Sequence, residues 1–274
     1  MAGTVRRPKP SWHRTRETTL KSETDRDAWL MLESHARSDS GLGCRRNPFE
    51  SPPVRIRNAV VAVFVFATAM AYMESAVVVY LQRALGITPD SLFPLQNGNM
   101  VGSLAAIEVG REVATLVMLA AVGWMLGSHW VDRLAWTSVA FGVWDIGYYF
   151  WLWVFVGWPH SPATWDVLFL IPVPWAGPVW APILVSLALI GFGLEAARRT
   201  AAGLTPQVGP VRGAAAVAGG LIVVVSFAAN GPALISGGLP GWFPWPVFIA
   251  GMAVASCGAV ASLRAAAEIG APAR

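Results

Sequence analysis

Charge is what this chain of 274 residues has least of. Asp, Glu, Lys and Arg make up only 13% of it, against about 25% in an ordinary soluble domain, which points away from a water-soluble globule. Cysteine is nearly missing as well. Cys44 lies in a polar stretch and Cys257 in an apolar one, and two thiols so placed build neither a disulfide framework nor a CxxC metal pair. No histidine falls inside an apolar run: His13 and His35 are near the start, and His129 and His160 lie between runs. That argues against haem held by paired histidines and against a histidine-rich di-iron site. GxSxG, HExxH and the P-loop pattern are absent too. The glycines of "GLGCRR" (41–46) sit in a polar segment and do not form a nucleotide-binding turn.

What the chain has instead is apolar length. Hydrophobic residues make up 55% of it, and its mean hydropathy is +0.51. A helix needs about 20 apolar residues to cross roughly 30 Å of hydrocarbon. Six runs qualify: 58–82, 104–127, 134–158, a fourth that starts raggedly near 166 and becomes regular over 183–197, then 213–235 and 245–263. The expected fold is an all-α integral membrane bundle of six transmembrane helices over 56–264. A polar, basic, disordered cytoplasmic tail (1–55) precedes it and a short cytoplasmic tail (265–274) follows. Within the first tail, "DAWLMLESHAR" (27–37) has the pattern of a short amphipathic helix. Residues 1–57 hold 12 of the 20 Lys and Arg, so the pI near 9.5 describes this tail and is no evidence of a nucleic-acid partner. The natural contact for its arginines is anionic lipid.

The remaining arginines give an orientation. Arg55, Arg57, Arg133, Arg198, Arg199, Arg212 and Arg264 flank alternate ends of the spans, whereas the opposite loops carry only Arg83. Both termini are therefore expected in the cytoplasm, in a membrane of the bacterial inner (plasma) type.

Against that frame the acidic residues are unevenly placed. At 1.5 Å per residue, Glu74 is about 24 Å from the inner face, Glu108 and Glu112 roughly 6 and 12 Å below the outer face, and Asp145 near mid-membrane. Asp166 sits at the outer mouth of the fourth segment. Glu108, Arg111, Glu112 and Thr115 recur at spacings of three and four, so they form one stripe on a helix. Asp145, inside "FGVWDIGYYFWLWVFVGWP", shares a face with Tyr148 and Tyr149. A carboxylate at mid-bilayer costs roughly 2.5 kcal/mol or more, so these stripes are expected to turn inward, with Arg111 neutralising Glu108, Glu74 or Asp145.

The candidate catalytic set is Glu74, Glu108, Arg111, Glu112 and Asp145, and the candidate substrate contacts are Tyr148, Tyr149, Asp166, Trp144 and Trp175. A carboxylate-only site suits a hard divalent cation such as Mg²⁺, Mn²⁺ or Ca²⁺, with Glu74, Glu112 and Asp145 as ligands. Pro172, Pro174, Pro178 and Pro182 forbid a continuous helix, which implies a re-entrant loop or broken helix on the outer side. Most of the 14 tryptophans fall at the two expected interfaces as aromatic belts.

Three readings stay open. One is an intramembrane enzyme using acid–base or carboxylate–metal chemistry on a lipid or isoprenoid substrate. Another is an accessory subunit of a larger membrane complex or a homo-oligomer, its polar stripes holding helices together. The third is a cation- or proton-coupled binding or transport protein.

Overall fold

The structure, a computed structural model, describes residues 56–86, 101–170, 173–235, 241–265 and 267–268. The tail, its amphipathic segment and Cys44 lie outside them. Six long helices dominate: α1 (Ile56–Leu85), α2 (Val101–Leu126), α3 (Trp130–Val156), α4 (Trp180–Ala201), α5 (Pro210–Ala228) and, after the short α6 (Gly231–Ile235), α7 (Trp245–Arg264). All six are long and apolar enough to cross a membrane. The shortest, α5 with 19 residues, extends about 28 Å at 1.5 Å per residue.

Local chemistry sets the ends. The His129 side chain accepts a hydrogen bond from the Asp132 N–H at the start of α3, and Gly157 closes that helix at φ 70°, a left-handed conformation that side chains disfavour. Pro210 and Pro246 stand in the first turns of α5 and α7, where their missing N–H costs nothing. The fifth apolar run, expected to continue to 235, breaks after Ala228, and α6 follows as a separate helix.

The proline-rich segment is neither a broken helix nor a structureless loop. It is an antiparallel hairpin of β1 (Trp165–Phe169) and β2 (Trp175–Pro178), with Trp165 opposite Pro178, Asp166 opposite Gly177, and an irregularity between Val167 and Phe169. The bundle is therefore predominantly, not wholly, helical. Extended backbone tolerates the prolines that a helix rejects, and Pro178 ends its strand, where a missing N–H breaks little of the ladder. Val179 N–H donates to Thr164 O, and Trp180 N–H to Pro162 O, which ties the hairpin directly to the first turn of α4. A second two-residue pairing, β3 (Leu204–Thr205) with β4 (Ala267–Glu268), sits at the other end of the bundle.

Helix α3 is the central post, packing on α1, α2 and α4. Val63, Ala67, Ala71, Leu119, Val139 and Ala140 form the tight core of the first three helices. Small residues set the close approaches. A Cβ on Gly142 would lie 2.6 Å from the Ser186 carbonyl of α4, and one on Gly219 only 2.2 Å from the Ala255 nitrogen of α7. In a lipid-like surrounding such contacts matter more than hydrophobic burial, because hydrocarbon is as apolar as the helices themselves. Helices α5 and α7 pack closely on each other, yet this pair meets α4 at few positions. Aromatic contacts join it to the rest of the bundle: Trp245 of α7 lies 4.5 Å from Trp180 of α4, and Phe243 lies 6.2 Å from Trp165 of β1, between ring centroids.

Candidate functional site

The polar side chains at the hairpin end of the bundle form four nodes. At the first, the Arg111 Nε–H donates to Glu108 Oε2 at 3.0 Å, its Nη2 pairs with Glu108 Oε1, and its Nη1 pairs with Glu74 of α1. Thr115 Oγ1 lies 3.4 Å from the other Glu74 oxygen. The guanidinium fork is thus divided between two carboxylates from two helices, with Arg111 23% and Glu74 13% exposed.

Glu112, one residue further along α2, is 6% exposed and does something different. Both its oxygens accept the Leu170 N–H, at 3.0 and 3.1 Å, so it clamps the chain just after β1. The third node joins α3 to the hairpin: the Tyr149 hydroxyl donates to Asp166 Oδ2 at 3.0 Å, and Val167 N–H donates to Asp166 Oδ1 at 2.9 Å. Burial raises the Asp166 carboxyl to about 7, the Tyr149 and Val167 hydrogen bonds oppose that rise, and nearby Asp145 adds to it.

Asp145 itself is the fourth node. It is 6% exposed, and Ser186 Oγ–H of α4 donates to its Oδ2 at 2.8 Å. No hydrogen bond to its Oδ1 occurs among the described residues. Tyr148 lies near Asp166, Arg111, Glu108 and Asp145. Its backbone carbonyl accepts from Ser75 Oγ at 3.0 Å, which locks α3 to α1 beside the site.

Between the α3–α4 pair and the α5–α7 pair lies a cavity of about 610 Å³. Its walls are almost wholly apolar, with Phe141, Leu189, Phe192, Val224, Phe227 and Met252 among them, and among the described residues Asp145 is the only charged one that lines it. Trp175 is on the same wall, its indole N–H buried without a partner. Of the ten candidate site residues, only Asp145 and Trp175 line this cavity. Trp144 instead packs into the core of the first three helices, 5.5 Å from Phe141 between ring centroids, and Tyr149 packs with Leu152, Trp158 and Val179.

The three carboxylates weighed as metal ligands do not meet. Glu74 turns to Arg111, Glu112 to the Leu170 amide and Asp145 to Ser186, and no group of three His, Cys, Asp or Glu among the described residues could hold a metal ion. Ser186 and the Leu170 amide are the partners that sequence reasoning overlooked. Ser186 is the single polar residue in "ILVSLALI", so a signal for it existed. Nothing in the sequence marks a backbone amide.

Together these features define a six-helix bundle whose hairpin end carries buried and half-buried carboxylates, each with its own partner, beside an apolar cavity. No protein-family model matches the chain, and neither a curated protein nor a solved structure does.

Proposed function

We propose that this is a polytopic membrane protein that acts on a lipid or isoprenoid substrate within the bilayer, with Asp145 as its general acid or base. Every long helix presents large apolar side chains outward, such as Val65, Val117, Trp153, Leu187, Val225 and Ile249, a surface that lipid covers and water does not. The arginine-rich ends gather on one side. Arg199 Nη1–H donates to Leu263 O at 2.7 Å, and His129 Nε2 lies 3.4 Å from Thr205 Oγ1, so the ends of α4 and α7 and the start of α3 share that face. Lysine- and arginine-rich ends usually face the cytoplasm, which supports a hairpin on the outer side of a bacterial plasma membrane.

The observation that carries the reading is the placement of Asp145. It is a buried carboxylate, bonded through one oxygen only, on the wall of a cavity whose other lining is neutral. An apolar cleft with one convergent ionisable group is the usual form of a small-molecule site. Incubating the purified protein with a total membrane-lipid extract, followed by mass spectrometry, tests it. Wild type converts a lipid species, and Asp145→Asn does not, while both melt at the same temperature. No converted species, or equal conversion by Asp145→Asn, refutes the reading.

A second reading, an accessory subunit or homo-oligomer whose polar groups serve as glue, is favoured by the Arg111 and Glu112 nodes, which are spent on internal partners. Co-purification with other membrane subunits at fixed stoichiometry, or a defined oligomer of the chain alone, would support it. The separate partners of Glu74, Glu112 and Asp145 give cation-coupled transport no comparable support.

A further inference from the structure

The chemistry of the cavity narrows what it can take. Its lining runs along α3 from Asp145 to Trp130, 15 residues or about 22 Å, which exceeds half of a roughly 30 Å hydrocarbon core. The volume of about 610 Å³ is in the range of sites for one small ligand, about 300–1,000 Å³, and a space of that size suits one chain better than two. Beyond Asp145 the polar side chains on the wall are serines: Ser138, Ser186, Ser256 and Ser262. Ser262 is already bonded to Gly258 O.

The polar end of the ligand is selected by charge. Glu74, Glu108, Glu112, Asp145 and Asp166 lie toward the hairpin end, and Arg111 is held by Glu108 and Glu74. No Lys, Arg or His is among the described residues that line the cavity, so an anionic head such as a carboxylate or phosphate would meet the like charge of Asp145 in a medium where screening is weak. What the wall does offer is an unbonded acceptor, Asp145 Oδ1. A hydroxyl donates to such an acceptor without bringing a charge of its own.

We propose that the cavity binds a single-chain lipid alcohol, linear or isoprenoid, with its hydroxyl donating to Asp145 Oδ1 and its chain lying between α4 and the α5–α7 pair toward Trp130. This rests on the reading above that Asp145 marks the substrate site. It excludes fatty acids, prenyl phosphates and intact two-chain phospholipids as occupants.

The test is photo-crosslinking of the full chain in phosphatidylcholine nanodiscs at pH 8. The probes are hexadecanol carrying a mid-chain diazirine and the matching hexadecanoic acid, with labelled residues mapped by mass spectrometry. The alcohol labels cavity residues such as Leu189 and Val224 at least about tenfold more than the acid does, a difference of about 1.4 kcal/mol, and unlabelled hexadecanol competes it away. A Cβ at Gly220 on the cavity wall meets nothing within 4 Å, and neither does one at Gly191, which is exposed outside the cavity. Gly220→Phe therefore fills the cavity and abolishes cavity labelling, whereas Gly191→Phe leaves it intact. Asp145→Asn lets the acid label as well as the alcohol. Equal labelling by both probes in the wild type, or labelling spread over the outward-facing side chains and unaffected by Gly220→Phe, overturns the proposal. If Gly220→Phe does not fold, competition by hexadecanol decides the same point. Conversion of some other lipid without alcohol labelling would overturn this inference and leave the catalytic reading standing. Labelling without conversion would do the reverse.

Discussion

Gly142→Ala should break the Asp145–Ser186 contact without touching either residue. The added methyl would sit 2.6 Å from the Ser186 carbonyl, and ordinary contact begins at 3.4 Å, so α3 and α4 must part by about 0.8 Å. The obstacle is backbone and cannot rotate away. A shift of that size along the same direction lengthens the 2.8 Å Ser186–Asp145 bond to about 3.6 Å, which is no longer a hydrogen bond. Overpacking costs about 1–3 kcal/mol, and a lost hydrogen bond between membrane helices about 0.6–1.7 kcal/mol. Replacing glycine by alanine inside a helix returns about 1 kcal/mol. The net loss is roughly 1–4 kcal/mol. Equilibrium unfolding in mixed micelles measures it, and a double-mutant cycle with Ser186→Ala identifies its origin. Because Gly142→Ala already removes the bond, adding Ser186→Ala should cost less than Ser186→Ala alone. Strict additivity, or a Gly142→Ala protein as stable as wild type, would show that the two helices are not held at this distance.

Other consequences follow from the same network. Arg111→Met leaves Glu74 and Glu108 facing each other without a counter-charge and should destabilise the bundle by less than the about 3–5 kcal/mol of a fully buried pair, since Arg111 is 23% exposed; Arg111→Lys should recover only part, since an ammonium cannot fork between two carboxylates. Glu112→Leu deprives the Leu170 amide of its acceptor, so hydrogen exchange should accelerate across 165–178 and remain unchanged in α5 and α7; uniform exchange throughout would contradict the clamp. The Asp166 carboxyl is raised from 3.8 to about 7, so the folded state holds a proton that the unfolded chain releases. Stability should therefore fall as pH rises from about 4 to 7 and level off above that, and Asp166→Asn should flatten this dependence and be the more stable form at pH 8. An unaltered pH profile in Asp166→Asn would place the titration elsewhere.

Particular residues show how far local pattern reaches. Glu108 and Arg111 are three apart on one helix, and a spacing rule suffices to pair them. Glu112 belongs to the same stripe, but its partner is an amide 58 residues away, which no periodicity can reveal. The prolines at 174 and 178 rule out a helix there, whereas Pro182 is accommodated in the first turn of α4. Choosing between a loop and a hairpin requires the pairing of Trp165 with Pro178, a contact between strands. Asp145 could be assigned a face shared with Tyr148 and Tyr149, yet these three side chains diverge to a serine, the surroundings of Arg111 and Glu108, and an aspartate.

The number of long apolar helices, their approximate limits and the position of each acidic residue along them were contained in the amino-acid order, because helix length is a fixed rise per residue and hydropathy is a local property. Which carboxylate meets which donor, and the cavity left where α5 and α7 stand off from α4, belong to the tertiary structure alone. Both depend on how each helix is rotated against its neighbours, and that rotation is set by close approaches such as Gly142 on Ser186, whose two halves lie on different helices.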